Sequence, residues 1–210
     1  MAGRKLLRDI TGSMLVEYTI VFPVFILLVL GTIDVAYMLS EWALANKATY
    51  VGARTATVAD AVGGGITDVT YDRTKISQLC FDPATGASTG KCPTITATSC
   101  TGTSGGVSCT GGSPNPAAFN IIFNRMQAIF PRLQRTNVTV SYAPGTYTLG
   151  FVGEPNGLPV NVTVSVNGMT HNFYFIGPIM NFFRGIFPNS AAIPQFATTL
   201  PSEAMESDNL

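Results

Sequence analysis

The hydrophobic positions of this chain are concentrated near its start. From Met14 to Leu30 almost every residue is apolar, and no charge falls between Glu17 and Asp34. About 20 such residues cross a bilayer core as a helix, so residues 13–39 are expected to form one transmembrane helix. Pro23 lies inside that run and predicts a local kink. Helical character continues beyond Leu39, because Ser40 to Ala61 contains no proline and is rich in alanine. Ala45, Ala48, Gly52, Ala56 and Ala59 recur at spacings of three and four, which puts five small residues on one helix face. Such a stripe permits close backbone approach, either to the chain's own folded domain or to a neighbouring subunit. Gly63-Gly64-Gly65 predicts where this extension, residues 40–62, ends.

The pattern then changes. Residues 63–116 are rich in Thr, Ser, Gly and Pro and hold all four cysteines, Cys80, Cys92, Cys100 and Cys109. Their spacing lacks the paired C-x-x-C units of a zinc site. In an exported domain an even count predicts two disulfides. Three connectivities are open, and sequential pairing (Cys80 with Cys92, Cys100 with Cys109) is favoured because it closes two short loops. From Ala117 to Arg135, Phe119, Ile122, Phe123, Met126, Ile129, Phe130 and Leu133 follow a helical period, with Pro131 interrupting the last turn. Asn137 to Tyr142 alternates as a strand that ends at Pro144-Gly145. Val160, Val162, Val164 and Val166 mark one face of a second strand. Asn167-Gly168 reads as a hairpin turn, with Met169 to Ile176 returning as a third strand. Residues 117–190 are thus expected to hold a helix and an antiparallel sheet, giving an α+β class. The apolar segment from Ile179 to Phe187 is too short to span a membrane; it suits a cap on the sheet, a partner or the membrane surface. Residues 191–210 read as an extended, weakly ordered tail.

Charge removes several functions. Twelve basic residues balance twelve acidic ones, and no basic cluster interleaves with aromatics, so no nucleic-acid partner is expected. No residues assemble a catalytic site. His171 is the single histidine and reads as an ordinary strand residue; no metal site and no cofactor are expected. Neither a G-x-S-x-G elbow nor a G-x-x-x-x-G-K-[ST] loop occurs. Arg4, Lys5 and Arg8 precede the apolar run, so the N-terminus is expected on the cytoplasmic side and the C-terminal domain is exported.

The remaining chemistry lies at the start of the run. Glu17 sits at the edge of the apolar stretch, where a charge costs roughly 2.5–3.5 kcal/mol at bilayer depth. A secretory signal cut after Ala43-Leu44-Ala45 leaves that carboxylate unexplained, because the site lies too far beyond the apolar core. A plain signal anchor accounts for the topology but not for Gly12 and Glu17. Gly12, four intervening residues, then Glu17-Tyr18 resembles the prepilin processing site of type IV-like pilins. Phe22-Pro23-Val24, Gly31-Thr32-Ile33-Asp34, Ala45-Asn46-Lys47-Ala48 and Gly52-Ala53-Arg54 extend the resemblance to TadE-like proteins of the tight-adherence (Tad/Flp) pilus system.

That resemblance implies a leader, residues 1–12, removed by a prepilin peptidase between Gly12 and Ser13. Glu17 would then neutralise the new Ser13 amino group of an adjacent subunit, with Tyr18 beside it. It further implies a pilin-like exported domain and a minor pilin or pseudopilin of the inner membrane and periplasm. Its partners would be other Tad/Flp components, in homo- or hetero-oligomers. The alternative expectation is a membrane-anchored periplasmic module that binds a ligand or acts as an adhesin.

Overall fold

A computed structural model describes residues 10–64, 78–80, 82–90, 97–144, 160–182 and 189–202; for residues 10–13 and 180–182 it describes the backbone alone. Helix α1 (Ile10–Ala56) runs for 47 residues and passes through Pro23 without interruption. The chain separates into two compact units, Met1–Glu41 with Thr170–Ala192, and Trp42–Met169 with Ile193–Leu210. Both draw on α1. With its long apolar helix, further helices and antiparallel sheets, the fold is α+β, as expected.

The larger unit is built on a five-stranded antiparallel sheet. Its strands are β1 (Thr98–Thr103), β2 (Gly106–Thr110), β3 (Val138–Pro144), β4 (Val160–Val166) and β7 (Phe196–Pro201), in the order β2-β1-β3-β4-β7. Period-two alternation sends Val138, Val140 and Tyr142 of β3 and Val160, Val162, Val164 and Val166 of β4 into the core. The opposite face is polar and self-bonded, with cross-strand hydroxyl pairs Ser99–Ser141 at 2.9 Å, Thr101–Thr139 at 3.1 Å and Thr163–Thr199 at 2.8 Å.

Helix α2 (Pro116–Ile129) buries Ala118, Phe119, Ile122, Phe123 and Met126 in the same core. The Asn115 side chain accepts from the Ala118 amide at 3.2 Å, and Pro116 takes the first helical position, where a missing N–H costs nothing. The helix stops at Ile129, six residues short of the expected Arg135. Phe130 precedes Pro131, and a residue before proline is disfavoured in the α region.

Three sequence expectations are corrected here. First, α1 ends at Ala56, before the triple glycine, so Ala59 lies in the turn beyond the helix. The Thr55 and Thr57 hydroxyls donate back to the carbonyls of Val51 and Arg54, both at 2.9 Å, which offers the backbone an alternative to further helix.

Second, Asn167-Gly168 does not close a hairpin. Strand β4 is paired on both edges, by β3 and β7, so no edge is left for a returning strand. Asn167 instead exchanges two hydrogen bonds with Asn137, at 3.0 and 2.9 Å. Strand β5 (Thr170–Asn172) pairs with β6 (Ser190–Ala192) in a separate two-stranded sheet.

Third, the tail contributes β7, a full strand in register with β4 from Asn161–Pro201 to Val166–Phe196. Ser202 fastens its end: its amide donates to the Val160 carbonyl at 2.7 Å and its hydroxyl accepts from the Val160 amide at 2.9 Å.

In the cysteine-bearing region, one of the two favoured sequential pairings is present. Cys100 and Cys109 face one another across the β1–β2 hairpin and form a disulfide. Cys80 is also disulfide-bonded, while Cys92 lies outside the described residues.

Candidate functional site

The apolar run becomes the exposed half of α1. Met14, Leu15, Val16, Tyr18, Ile20, Val21, Val24, Phe25 and Leu28 are all exposed, so the protein itself does not cover this surface. A side chain as large as leucine contributes about 1.5–3 kcal/mol when removed from water. Leaving so many in contact with water would be strongly unfavourable, so this face requires a bilayer or other helices around it. The threonine hydroxyls along it are already satisfied. Thr19 donates to the Leu15 carbonyl and Thr32 to the Val29 carbonyl, each at 2.7 Å, as an apolar medium demands.

Glu17 projects from this face. It is exposed and has no hydrogen-bond or ionic partner among the described residues. Tyr18, one residue on, stacks against Phe22 with ring centroids 5.5 Å apart. Gly12 and Ser13 lie within the helical backbone of α1; their surroundings fall outside what is described. The carboxylate therefore stands where an external positive charge can reach it.

Two further acids on α1 are treated differently. Asp34 and Glu41 are seven residues apart, two helical turns, and both are buried. Asp34 is held by the segment that opens helix α3 (Ile176–Phe182). Its Oδ1 accepts from the Tyr174 amide at 3.2 Å, and its Oδ2 accepts from the amides of Phe175 and Ile176 at 2.9 and 2.7 Å. Amides at a helix start have no partner within their own helix, and here a carboxylate from α1 supplies one.

Glu41 Oε2 lies 2.7 Å from His171 Nδ1, in the middle of β5. With the carboxylate ionised, Nδ1 carries the shared proton. Phe173 packs edge-on to the imidazole at 5.3 Å and Tyr37 lies 6.1 Å away, while Nε2 is buried with no hydrogen-bond partner among the described residues. Burying the carboxylate or the imidazole without the other would be costly, so the pair fixes β5 to α1. The expected reading of His171 as an ordinary strand residue missed this. The available signal was the seven-residue interval between Asp34 and Glu41, which puts two acids on one face of a helix with no lysine or arginine between them.

Beyond Glu41 the same helix buries small residues. Ala45, Ala48, Gly52 and Ala56 are all enclosed in the core of the larger unit, as is Ala59 in the turn that follows. A β-carbon on Gly52 would come within 2.5 Å of Met126 Sδ and 3.2 Å of Val164 Cγ1. At Gly52 the stripe is thus occupied by the chain's own α2 and β4.

Among the described residues no three metal-ligating side chains come together. No curated protein and no solved structure matches the chain. The family model described as TadE-like protein matches residues 12–54, so the segment carrying Glu17, the exposed apolar face, Asp34, Glu41 and the first three residues of the small-residue stripe, Ala45, Ala48 and Gly52, is similar to that family.

Proposed function

We propose that this chain is a minor pilin or pseudopilin of a Tad/Flp-type pilus system and takes part in pilus assembly and hence in surface adherence. The observation that carries the reading is Glu17: an exposed carboxylate, without a partner among the described residues, on the uncovered apolar face of a TadE-like helix. In hydrocarbon such a group needs a cation beside it, since leaving it unpaired costs roughly 2.5–3.5 kcal/mol. Cleavage between Gly12 and Ser13 by a prepilin peptidase creates that cation as the α-amino group of Ser13, and Glu17 of one subunit pairs with Ser13 of the next. The same cleavage removes Arg4, Lys5 and Arg8, which otherwise hold the N-terminus at the cytoplasmic surface. The helix anchors the protein in the inner membrane, and the larger unit lies on the periplasmic side. Its role is structural, with no cofactor.

Amino-terminal sequencing of protein taken from its native membrane is expected to read Ser-Met-Leu-Val-Glu. A start at Met1 or Ala2 would leave a plain signal anchor. Glu17→Gln is expected to leave the larger unit folded, as judged by its near-ultraviolet circular dichroism, while piliation falls. Normal piliation by that variant would count against the pairing.

A further inference from the structure

The smaller unit contains a feature that pilus assembly does not account for. Strands β5 and β6 pair at its base, and beyond β5 the chain runs outward from Phe173 into α3 as a finger ending at Phe182. The Phe173 amide donates to the Asn189 carbonyl at 3.0 Å, extending the base by one step. Gly177 lies so close to Asn189 that a β-carbon there would meet its Oδ1 at 3.2 Å and its Cα at 3.3 Å. Going outward, Phe173-Tyr174-Phe175-Ile176-Gly177-Pro178-Ile179-Met180-Asn181-Phe182 carries no charge.

This segment lies along the apolar face of α1. The Ile176 side chain packs at Gly31, 3.5 Å from where a β-carbon would stand. Ile179, one turn further on, lines an open apolar groove with Phe22, Pro23, Val24, Ile26 and Leu27. The direction is therefore back down α1, from Gly31 towards the middle of the uncovered run. Tyr174 and Phe175, at the mouth of the finger, are 59% and 40% exposed. Tyrosine collects at the level of lipid headgroups.

We propose that this finger inserts into the bilayer beside α1, within the leaflet at the C-terminal end of the span, and that lipid acyl chains cover its outer face and the groove it forms with α1. The proposal rests on the membrane-spanning reading of α1. Helix α3 has seven residues, roughly 10 Å at 1.5 Å each. A single leaflet offers about 15 Å of hydrocarbon, so α3 fits within one leaflet and does not cross.

An inserted helix end brings unpaired amides into a medium with no water to bond them. Asp34 removes that cost by accepting from Tyr174, Phe175 and Ile176. The three amides in turn satisfy a carboxylate that would otherwise stand unpaired at the end of the span. Each element makes the other's burial tolerable, and the geometry gives a reason for an acid at position 34.

The test uses the full chain carrying Trp42→Phe, so that one introduced tryptophan reports alone. The protein is reconstituted in phosphatidylcholine vesicles brominated either near the headgroup or near the chain middle. Leu28→Trp on α1 and Ala84→Trp in an exposed turn of the larger unit serve as references. Ile179→Trp is expected to lose roughly half or more of its emission, as Leu28→Trp does, because both lie within the ~30 Å hydrocarbon core. Ala84→Trp keeps its emission. Tyr174→Trp, an aromatic exchange at an exposed site, is expected to be quenched more by bromine near the headgroup than by bromine at mid-chain. Should Ile179→Trp fail to fold, Tyr174→Trp carries the test. Quenching of Leu28→Trp with neither finger site quenched would mean that protein covers the finger, and would overturn the proposal while leaving the span intact. An unquenched Leu28→Trp would overturn the span itself.

Discussion

Helix α1 is one continuous element that solves two opposite packing problems. Between Met14 and Leu28 it presents large side chains, nearly all exposed. Between Ala45 and Ala56 it presents alanine and glycine on one face, all buried. Hydrophobicity alone does not separate the two halves, since both are rich in apolar residues. Size separates them. A face that meets fluid lipid or interchangeable neighbouring helices gains from apolar area and needs no shape match. A face packed permanently against α2 and β4 is limited by volume, and closeness is worth more than area. The acids follow the same division. Glu17 on the exposed half stands without a partner among the described residues, whereas Asp34 and Glu41 are buried with designated partners.

The largest effect is expected where volume is limiting. Gly52→Leu puts a branched side chain into space already held by Met126 and Val164, and overpacking of this kind costs roughly 1–3 kcal/mol, towards the upper end here because both neighbours are fully buried. Helix propensity returns less than about 1 kcal/mol of that. Thermal unfolding of the larger unit, followed by near-ultraviolet circular dichroism in detergent, should move to lower temperature. An unchanged midpoint would mean that the stripe tolerates bulk, and the contrast between the halves would fail.

A smaller effect is expected just past the helix end. The Tyr142 hydroxyl accepts from the Val62 amide at 3.0 Å and fixes where the chain goes after α1. Tyr142→Phe leaves that amide buried without a partner, at a cost of about 1–2 kcal/mol. Burial also pushes the Tyr142 phenol up to about 12, against the opposing influence of the Val62 amide. An unfolded tyrosine titrates near 10. A folded value above the unfolded one means that the stabilisation is complete below about pH 10 and is lost as pH rises towards 12. The alkaline limb of the stability profile should therefore be shallower in Tyr142→Phe. Identical limbs in the two proteins would show that the phenol is not the group responsible.

The smallest effect is expected on the exposed half. Leu28→Ala removes a large side chain that the protein does not enclose, so the unfolding midpoint of the larger unit should stay within about 0.5 kcal/mol of the parent. A loss like that at Gly52 would show that the folded unit, and not lipid or a neighbour, covers this face.

Much of this was legible from residues alone. The apolar run, Glu17 and the small-residue stripe are local patterns with a helical period, and valine alternation identified β4 in the same way. Periodicity says which residues share a face, because backbone geometry fixes that within a few residues. It does not say what the face meets. Whether Asn167-Gly168 would close a hairpin depended on β4 having a free edge, and β7, drawn from a tail that reads as extended and weakly ordered, had taken it. The Cys100–Cys109 disulfide depended on the register of β1 against β2. His171 reached Glu41 across 130 residues, and Asp34 reached the start of α3 across 140 and more. Local physics, acting through helical and strand periods and the expense of placing charge in hydrocarbon, set the elements and the membrane-facing half of α1. Competition among distant segments for one edge, one carboxylate or one gap of limited volume set the pairings, and that was decided only in the tertiary structure.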